Sequence, residues 1–197
     1  GRPDHGFSYN ALDGQESYEP PPPEAEDPGS YHTTYRYNRE GQLTSVARPD
    51  GRDIEMSYDA AGRLEQVALP FPDKIHLGYN PDTGQLESID RWPNDVPLRY
   101  EWNGMLLSKS LLLGGEVSGM VDRSYDDLLR LDGLVINGEY AIELGYDGDS
   151  LLVQAGEMAI DRDQAHGLVT GTGLGRVATT RTYNDFGELA SYTASLD

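Results

Sequence analysis

The feature that most constrains the fold of this chain is a short motif that recurs along most of its length. In the best copy, residues 53–67, apolar residues precede Tyr58 by two and four positions, and an acid follows it directly. Glycine stands four positions after the tyrosine and leucine six positions after it. Tyr37, Tyr58, Tyr79 and Tyr100 are each separated by 21 residues, and the same step joins Tyr125 to Tyr146. A fixed period is the signature of a repeat protein, so the fold must be interpreted one repeat at a time.

The copies differ in how completely they keep the motif. Tyr125 keeps Leu131 but has no glycine at the turn, and Tyr146 keeps Leu152 with its glycine shifted to Gly148. Near the start of the sequence, residues 7–10 with Gly14 resemble a further copy. The residues that we predict to define the repeat structurally are Tyr37, Gly41, Leu43, Tyr58, Asp59, Gly62, Arg63, Leu64, Tyr79, Gly84, Leu86, Tyr100, Gly104, Leu106, Tyr183, Gly187 and Leu189.

Each repeat is predicted to be a β-hairpin. Before the tyrosines, apolar and polar residues alternate, and a period of two is typical of a half-buried strand. The turn then ends on glycine, which takes a positive φ at no steric cost, so Gly41 and Gly62 are expected at positive φ. In the return strand, Leu64 and Val67 are three positions apart, which breaks strict alternation. Either a bulge brings both to one face, or the return strand offers one apolar residue to each face.

Residues 58–64, Tyr-Asp-Ala-Ala-Gly-Arg-Leu, resemble the consensus of the YD repeat. That repeat is found in rearrangement-hot-spot (Rhs) proteins, insecticidal toxin-complex shells, bacterial wall-associated proteins and teneurins. The resemblance covers at least residues 31–192, through several copies in phase. It implies an all-β fold of tandem antiparallel hairpins that pair side by side in a curved or spiralling sheet. In the family such a sheet is part of a hollow shell, which often encloses a cargo polypeptide.

We predict a single YD-repeat β-sheet module over residues 1–197, excerpted from a longer protein. Residues 1–15 are expected to form a partial repeat, residues 16–30 a proline-rich extended segment, and residues 31–197 the hairpin repeats. Because proline donates no backbone hydrogen bond, the segment 16–30 is expected to run as polyproline II. An excerpted sheet has open edges. It should therefore curl until its apolar rows bury one another, associate with other copies, or be covered by the proline-rich segment.

Charge and composition exclude several classes of partner. The chain has 34 acidic and 15 basic residues, a formal net charge of −19, so it repels nucleic-acid phosphates and anionic lipids. It contains no cysteine, which excludes disulfides and thiolate metal sites. No apolar run approaches the roughly 20 residues that a membrane-spanning helix needs. We therefore predict neither nucleic-acid binding nor membrane insertion.

The sequence contains no convincing catalytic or ligand-binding motif. The glycines within residues 170–175 lack the spacing of a phosphate loop and indicate a turn between strands. Two pairs of acids, Asp147 with Asp149 and Asp161 with Asp163, offer oxygen ligands for calcium, but turn capping explains them better. The four histidines form no zinc motif, and no serine lies in a G-x-S-x-G sequence. The Rhs self-cleavage motif, Asp-Pro-x-Gly, is not matched by residues 27–29, Asp-Pro-Gly. We predict a protein that is not an enzyme, with no catalytic residue, metal or cofactor.

The function predicted from the sequence is that of a structural scaffold or shell segment in a larger secreted or cell-surface protein. The resemblance implies a bacterial source, and a polymorphic toxin that encapsulates its cargo is one such protein. Its partners are expected to be the remaining repeats of the parent protein, further copies joined at sheet edges, or an enclosed cargo. The alternative is an adhesin-like module that binds a glycan or a protein through an aromatic surface formed by Trp92, Trp102, Phe71 and the tyrosines.

Overall fold

The computed structural model describes residues 4–21, 31–93, 97–114 and 118–196, and these residues form strands and turns without any helix. The strands are β1 Gly6–Tyr9, β2 Gln15–Glu19, β3 Thr33–Tyr37, β4 Leu43–Ala47, β5 Ile54–Tyr58, β6 Leu64–Ala68, β7 Lys74–Tyr79, β8 Leu86–Trp92, β9 Leu98–Asn103, β10 Leu106–Leu112, β11 Gly119–Tyr125, β12 Leu131–Ile136, β13 Tyr140–Tyr146, β14 Leu152–Ala155, β15 Met158–Arg162, β16 Val169–Leu174, β17 Val177–Tyr183 and β18 Leu189–Leu196. The predicted all-β fold of antiparallel hairpins is confirmed.

The chain divides into two compact units, residues 1–100 with 112–118 and residues 101–111 with 119–197. In the first unit, each strand from β1 to β8 pairs antiparallel with the strand that follows it in the chain. The second unit repeats this arrangement from β11 to β18. Within each unit a repeat therefore contacts its neighbours in sequence, as expected of a repeat protein.

A β-bulge sits at the same place in eight of the described hairpins. In the hairpin of β5 and β6, Tyr58 lies opposite Leu64 and Ser57 lies opposite Gln66, so Glu65 is the extra residue. The same shift occurs in the hairpins that end at Tyr9, Tyr37, Tyr79, Tyr125, Tyr146, Arg162 and Tyr183. The extra residue brings Val67 opposite Met56, on the face that Tyr58 and Leu64 share. Of the two alternatives for the return strand, the bulge is the one observed.

The bulges give the first unit one apolar face and one polar face. Residues opposite each other in an antiparallel pair point to the same side, so Val46, Ile54, Met56, Val67 and Ile75 form one row. The other face carries Ser45, Glu55, Gln66 and His76 in the same pairings.

The apolar face is only half-buried. Among the described residues no hydrophobic side chain is buried, and Ile54, Met56, Ile75, Leu77 and Leu98 are all of intermediate exposure. Of the alternatives for the excerpted sheet, burial of the apolar rows against one another is therefore incomplete for these residues. The remaining area of this face is accessible to solvent in this chain.

Two details of the predicted organisation need correction. Residues 15–19 form β2, so the extended segment does not begin at 16, because the residues before Pro20 keep the N–H groups that a strand needs. Gly171 and Gly173 lie inside β16, and only Gly175 occupies the turn, with φ +57°. A side chain at Gly171 would approach the Thr179 carbonyl, at 3.2 Å from its Cβ, which explains a glycine within a strand.

Some sequence-based predictions lie outside the described residues. These are the proline-rich segment from 22 to 30, including residues 27–29, together with Val96 of the apolar row. Among the described residues, no helix is long and apolar enough to cross a membrane.

Candidate functional site: the junctions between repeats

Eight of the described turns are organised by an acid or amide directly after the first strand of the hairpin. The repeat of Tyr100 differs, because β9 continues past Tyr100 to Asn103. In the repeat of Tyr58, Asp59 Oδ1 accepts hydrogen bonds from the N–H groups of Ala61 and Arg63, both at 2.9 Å. The Asp59 carbonyl accepts the Gly62 N–H at 2.9 Å, and Gly62 has φ +78°. The same side-chain capping is made by Asn10, Asn38, Asn80, Asp126, Asp147, Asp163 and Asn184. Asp147 and Asp163 therefore cap turns, as predicted.

Two positions before the first residue of the return strand lies a residue with positive φ, which we call the αL residue. Gly41, Gly62, Gly84, Gly104 and Gly187 occupy this position with φ between +59° and +79°, which confirms the expected turn conformation. Other copies have a residue other than glycine at this position. Asp13 rather than Gly14, and Ser150 rather than Gly148, take the positive φ, and Leu129 takes it in the repeat without glycine. The turn geometry therefore fixes the position, and aspartate, serine or leucine can occupy it.

Successive repeats are joined by a hydrogen bond from the tyrosine hydroxyl, which we call the tyrosine link. Tyr58 Oη donates to the Leu43 carbonyl and Tyr79 Oη to the Leu64 carbonyl, both at 2.8 Å. In each case the acceptor is the first residue of the return strand in the preceding repeat. The other links are Tyr37 to Gln15, Tyr125 to Leu107, Tyr146 to Leu131 and Tyr183 to Val169. The repeated leucine thus supplies a carbonyl as well as an apolar side chain.

The link lies where strand pairing between repeats has ended. β4 and β5 pair through Ser45 with Glu55 and Val46 with Ile54, and Leu43 lies beyond this ladder. β6 and β7 likewise pair over residues 66–68 and 74–76, short of Leu64. The tyrosine hydroxyl therefore replaces a backbone donor that the neighbouring strand no longer offers. A half-buried carbonyl needs such a donor, which accounts for tyrosine rather than phenylalanine at this position.

The residue directly before the return strand, which we call the clamp residue, reaches across to the next repeat. Arg63 binds Asp59 through Nε at 2.8 Å and Nη2 at 2.7 Å, and its guanidinium lies 4.4 Å from the ring centre of Tyr79. Arg130 repeats this geometry, with Nε 2.7 Å from Asp126 and the guanidinium 4.4 Å from the Tyr146 ring. Arginine thus holds its own turn and the ring of the next tyrosine at once.

The clamp residue also covers the αL residue of the next turn. Arg130 Nη1 donates to Ser150 Oγ at 2.8 Å, and Arg63 Nη1 would lie 3.1 Å from a Cβ placed on Gly84. Gln42 Nε2 donates to the Gly62 carbonyl at 2.6 Å. In two other junctions the clamp is apolar, with Leu151 over Gly167 and Leu168 over Gly187. Each of these junctions is therefore a contact between the turns of neighbouring repeats.

Hydrogen bonds to the turn acids favour their ionised form. The Arg63 N–H, followed by the Arg63 guanidinium, holds the pKa of Asp59 below its ordinary value. The Arg130 N–H lowers the pKa of Asp126 in the same way, and the Ala165 N–H lowers that of Asp163. The turns that carry these acids are thus organised around a carboxylate.

One repeat was missed by sequence reasoning because its tyrosine is replaced. Arg162 lies opposite Val169 across the recurring bulge, where the other bulged hairpins have tyrosine. Its Nε donates to the Leu152 carbonyl at 2.8 Å, so it makes the equivalent of the tyrosine link. The available signal was the spacing, because Arg162 lies 21 residues before Tyr183 and is followed by Asp163 and Gly167.

The remaining candidate groups do not converge on a catalytic or metal site. His166 Nδ1 lies 2.6 Å from Asp163 in one turn, His5 contacts Tyr18, and His32 lies 3.7 Å from Glu19. Among the described residues, no three histidine, aspartate or glutamate side chains are placed to hold a metal ion. Shallow grooves separate neighbouring turns, and one of about 610 Å³ is lined by Asp163, His166, Arg181, Tyr183 and Phe186.

Comparison with known proteins gives a family match and several structural matches. The family model described as Teneurin YD-shell matches residues 23–197. No curated protein matches the chain. A structure described as TcdB2-TccC3-TEV is 12% identical, with a TM-score of 0.63, and the alignment covers 94% of this chain and 12% of that one.

Two further structures match over a similar length. A structure of TcdB2-TccC3 without its hypervariable C-terminal region is 17% identical, with a TM-score of 0.60, over 96% of this chain and 11% of that one. A Tc holotoxin pore from Photorhabdus luminescens is 16% identical, with a TM-score of 0.60 and the same coverage of 96% and 11%. At such identities these likenesses show the fold alone. The chain spans about a tenth of the length of the chains that it matches.

Proposed function

Because the chain belongs to the teneurin YD-shell family, we propose that it forms a segment of the wall of a larger shell and that this wall encloses a polypeptide cargo. The observation that carries the proposal is the half-buried apolar face. Among the described residues no hydrophobic side chain is buried, although the hairpins within each unit pair with their neighbours. A repeat sheet of this kind gains a covered face from an opposing wall or from enclosed material.

The site geometry supports a structural role. The tyrosine links, the capped turns and the arginine clamps satisfy polar groups within and between repeats, and none of them presents an activated nucleophile. The recurring features of the repeat thus hold each hairpin together and join it to its neighbours. We assign the chain to the scaffold of its parent protein, with no catalytic step of its own.

The parent protein is proposed to act outside the cytoplasm, as a secreted or cell-surface bacterial protein. Its partners are the other repeats of the wall and the enclosed cargo. One of the structures that match the fold is described as a Tc holotoxin pore. The family and this likeness support the proposal of an enclosing wall. The adhesin-like alternative stays a prediction, and no contact among the described residues favours it.

Single-cysteine labelling tests the wall proposal directly, because the chain has no native cysteine. Glu55→Cys and Ser57→Cys place a thiol on the polar face, and Thr33→Cys places one on the apolar face beside Tyr18. In the isolated chain, a bulky polyethylene-glycol maleimide is expected to label both faces. In the parent protein it should label one face and spare the other until the shell is opened by denaturant. Equal labelling of both faces in the folded parent would refute a closed wall.

The enclosed cargo is tested separately, by limited proteolysis of the parent protein. A segment held inside a closed wall should resist a protease that digests the same segment when it is expressed alone. Rapid digestion of every segment outside the repeats would contradict a cargo role, while the labelling result would still stand for the wall.

A further inference from the structure

The junction before Arg162 differs from the arginine-clamped junctions in two residues, the clamp residue and the residue that makes the link to the preceding repeat. Arg162 replaces the tyrosine, and its Nη1 donates to the Gly167 carbonyl at 2.7 Å in addition to the bond from Nε to the Leu152 carbonyl. The clamp residue that precedes it is Leu151, whose Cδ1 would lie 2.6 Å from a Cβ on Gly167. The turn that carries Leu151 is nonetheless regular, because Asp147 Oδ1 accepts the Leu151 N–H at 2.9 Å.

The chemistry of the two partners explains why they differ together. An arginine clamp lies over the ring of the next tyrosine, as Arg63 lies over Tyr79 and Arg130 over Tyr146. An arginine at position 151 would instead place a second guanidinium next to that of Arg162. Two positive charges so close to each other repel. Leucine at 151 is uncharged and covers the glycine of the next turn. Aspartate is already present at 147, so the turn could hold an arginine clamp if the next repeat carried a tyrosine.

We infer that an arginine clamp restricts the repeat that pairs after it: it accepts a repeat headed by tyrosine and disfavours one headed by arginine. The uncharged clamp Leu151 accepts the repeat headed by Arg162, whereas the uncharged clamps Gln42 and Leu168 precede repeats headed by tyrosine. An arginine clamp is therefore a specificity-determining residue for the hairpin that follows it in the sheet. This inference concerns the choice of neighbour within the chain, and it does not depend on whether the wall encloses a cargo.

A double-mutant cycle at this junction, made in the full chain, tests the inference. Leu151→Arg alone is expected to lower the melting temperature, because the new guanidinium faces Arg162. Arg162→Tyr alone should have a smaller effect, since a tyrosine hydroxyl can donate to the Leu152 carbonyl as in the other repeats. The double variant rebuilds the arrangement of Asp126, Arg130 and Tyr146, and it should melt about 2–4 °C above the sum of the single effects.

The reverse cycle at a regular junction provides the matched control. Tyr79→Arg should be strongly destabilising while Arg63 is present, and Arg63→Leu should recover part of the loss by recreating the pair of Leu151 and Arg162. If a single variant fails to fold, recovery of folded protein in the double variant supports the inference, and an unfolded double variant contradicts it. Additive effects in both cycles would overturn it.

Two further measurements separate charge from size. Leu151→Gln introduces a polar clamp of the kind found at Gln42, and it should cost less than Leu151→Arg. The loss caused by Leu151→Arg should shrink as salt is raised, because screening weakens the repulsion. If Leu151→Gln is as harmful as Leu151→Arg, or the loss is independent of salt, neighbour selection by charge is refuted.

Discussion

Replacing Tyr79 by phenylalanine removes one hydroxyl and leaves the ring in place beneath the Arg63 guanidinium. That hydroxyl donates to the Leu64 carbonyl at 2.8 Å, beyond the end of the ladder between β6 and β7. A hydrogen bond of this kind contributes about 0.5–1.5 kcal/mol net, and a buried carbonyl left without a donor costs about 1–3 kcal/mol. Because the junction is only half-buried, water replaces part of the loss, and we expect a destabilisation of about 1 kcal/mol.

Thermal and urea unfolding of the full chain measure this loss. About 1 kcal/mol corresponds to a fall of about 2–4 °C in melting temperature for a chain of this size. Tyr58→Phe and Tyr146→Phe remove hydroxyls with the same 2.8 Å geometry and should cost the same. Tyr140→Phe is the control, because the Tyr140 side chain is 66% exposed and water already solvates its hydroxyl. If the three link variants unfold at the same temperature as Tyr140→Phe, the tyrosine link does not hold the repeats together.

Three other predictions follow from the turns and the charge. Gly41→Ala should lower the free energy of unfolding by about 1 kcal/mol, because alanine is unfavourable at the positive φ of this position. Gly167→Ala should lower it further, because the new Cβ would also contact the Leu151 side chain. Equal urea midpoints for the two variants would contradict the clamp contact. The lowered pKa values of Asp59 and Asp126 imply stability that is complete above the ordinary value of 3.8 and is lost as the pH falls through the lowered values. Acid titration followed by circular dichroism should therefore show a smaller loss for the double variant Asp59→Asn and Asp126→Asn than for the parent, and an identical loss would refute this. Melting temperature should rise with sodium chloride as the Debye length falls to about 8 Å, and calcium at equal ionic strength should add little; a saturable calcium-specific rise would reveal a metal site.

The sequence was sufficient to predict the hairpins, because their signals are local. Alternation before Tyr58, a turn acid at Asp59 and a glycine at Gly62 act within one repeat, and each was found in the expected conformation. The bulge could be predicted only as one of two alternatives, since the spacing of Leu64 and Val67 does not state which face each residue takes. The pairing register of β5 and β6 shows that the bulge is the alternative that the chain adopts.

Contacts between repeats were much harder to predict. Every residue type has a backbone carbonyl, so nothing in the sequence marks that of Leu64 as the acceptor for the Tyr79 hydroxyl. Arg162 carries out the same task with a different functional group, and pattern matching on tyrosine therefore passed over it. The conformation of Leu129 could not be predicted either, because a leucine at φ +61° is unfavourable by itself. The hydrogen bonds of Asp126 to the flanking N–H groups hold the turn in this conformation.

The short ladder between β4 and β5 has a mechanical consequence. Only Ser45 with Glu55 and Val46 with Ile54 are paired there, whereas β3 and β4 pair through Thr34, Tyr35, Arg36 and Tyr37. A force pulling across the strands would open such a seam before it opened a hairpin. A hairpin freed from its neighbours is barely stable in water, so it would unravel at once. With 21 residues per repeat and about 3.3–3.6 Å of contour per residue, extension would proceed in steps of about 70 Å. The sheet would therefore unfold one repeat at a time, and each step would absorb mechanical work separately.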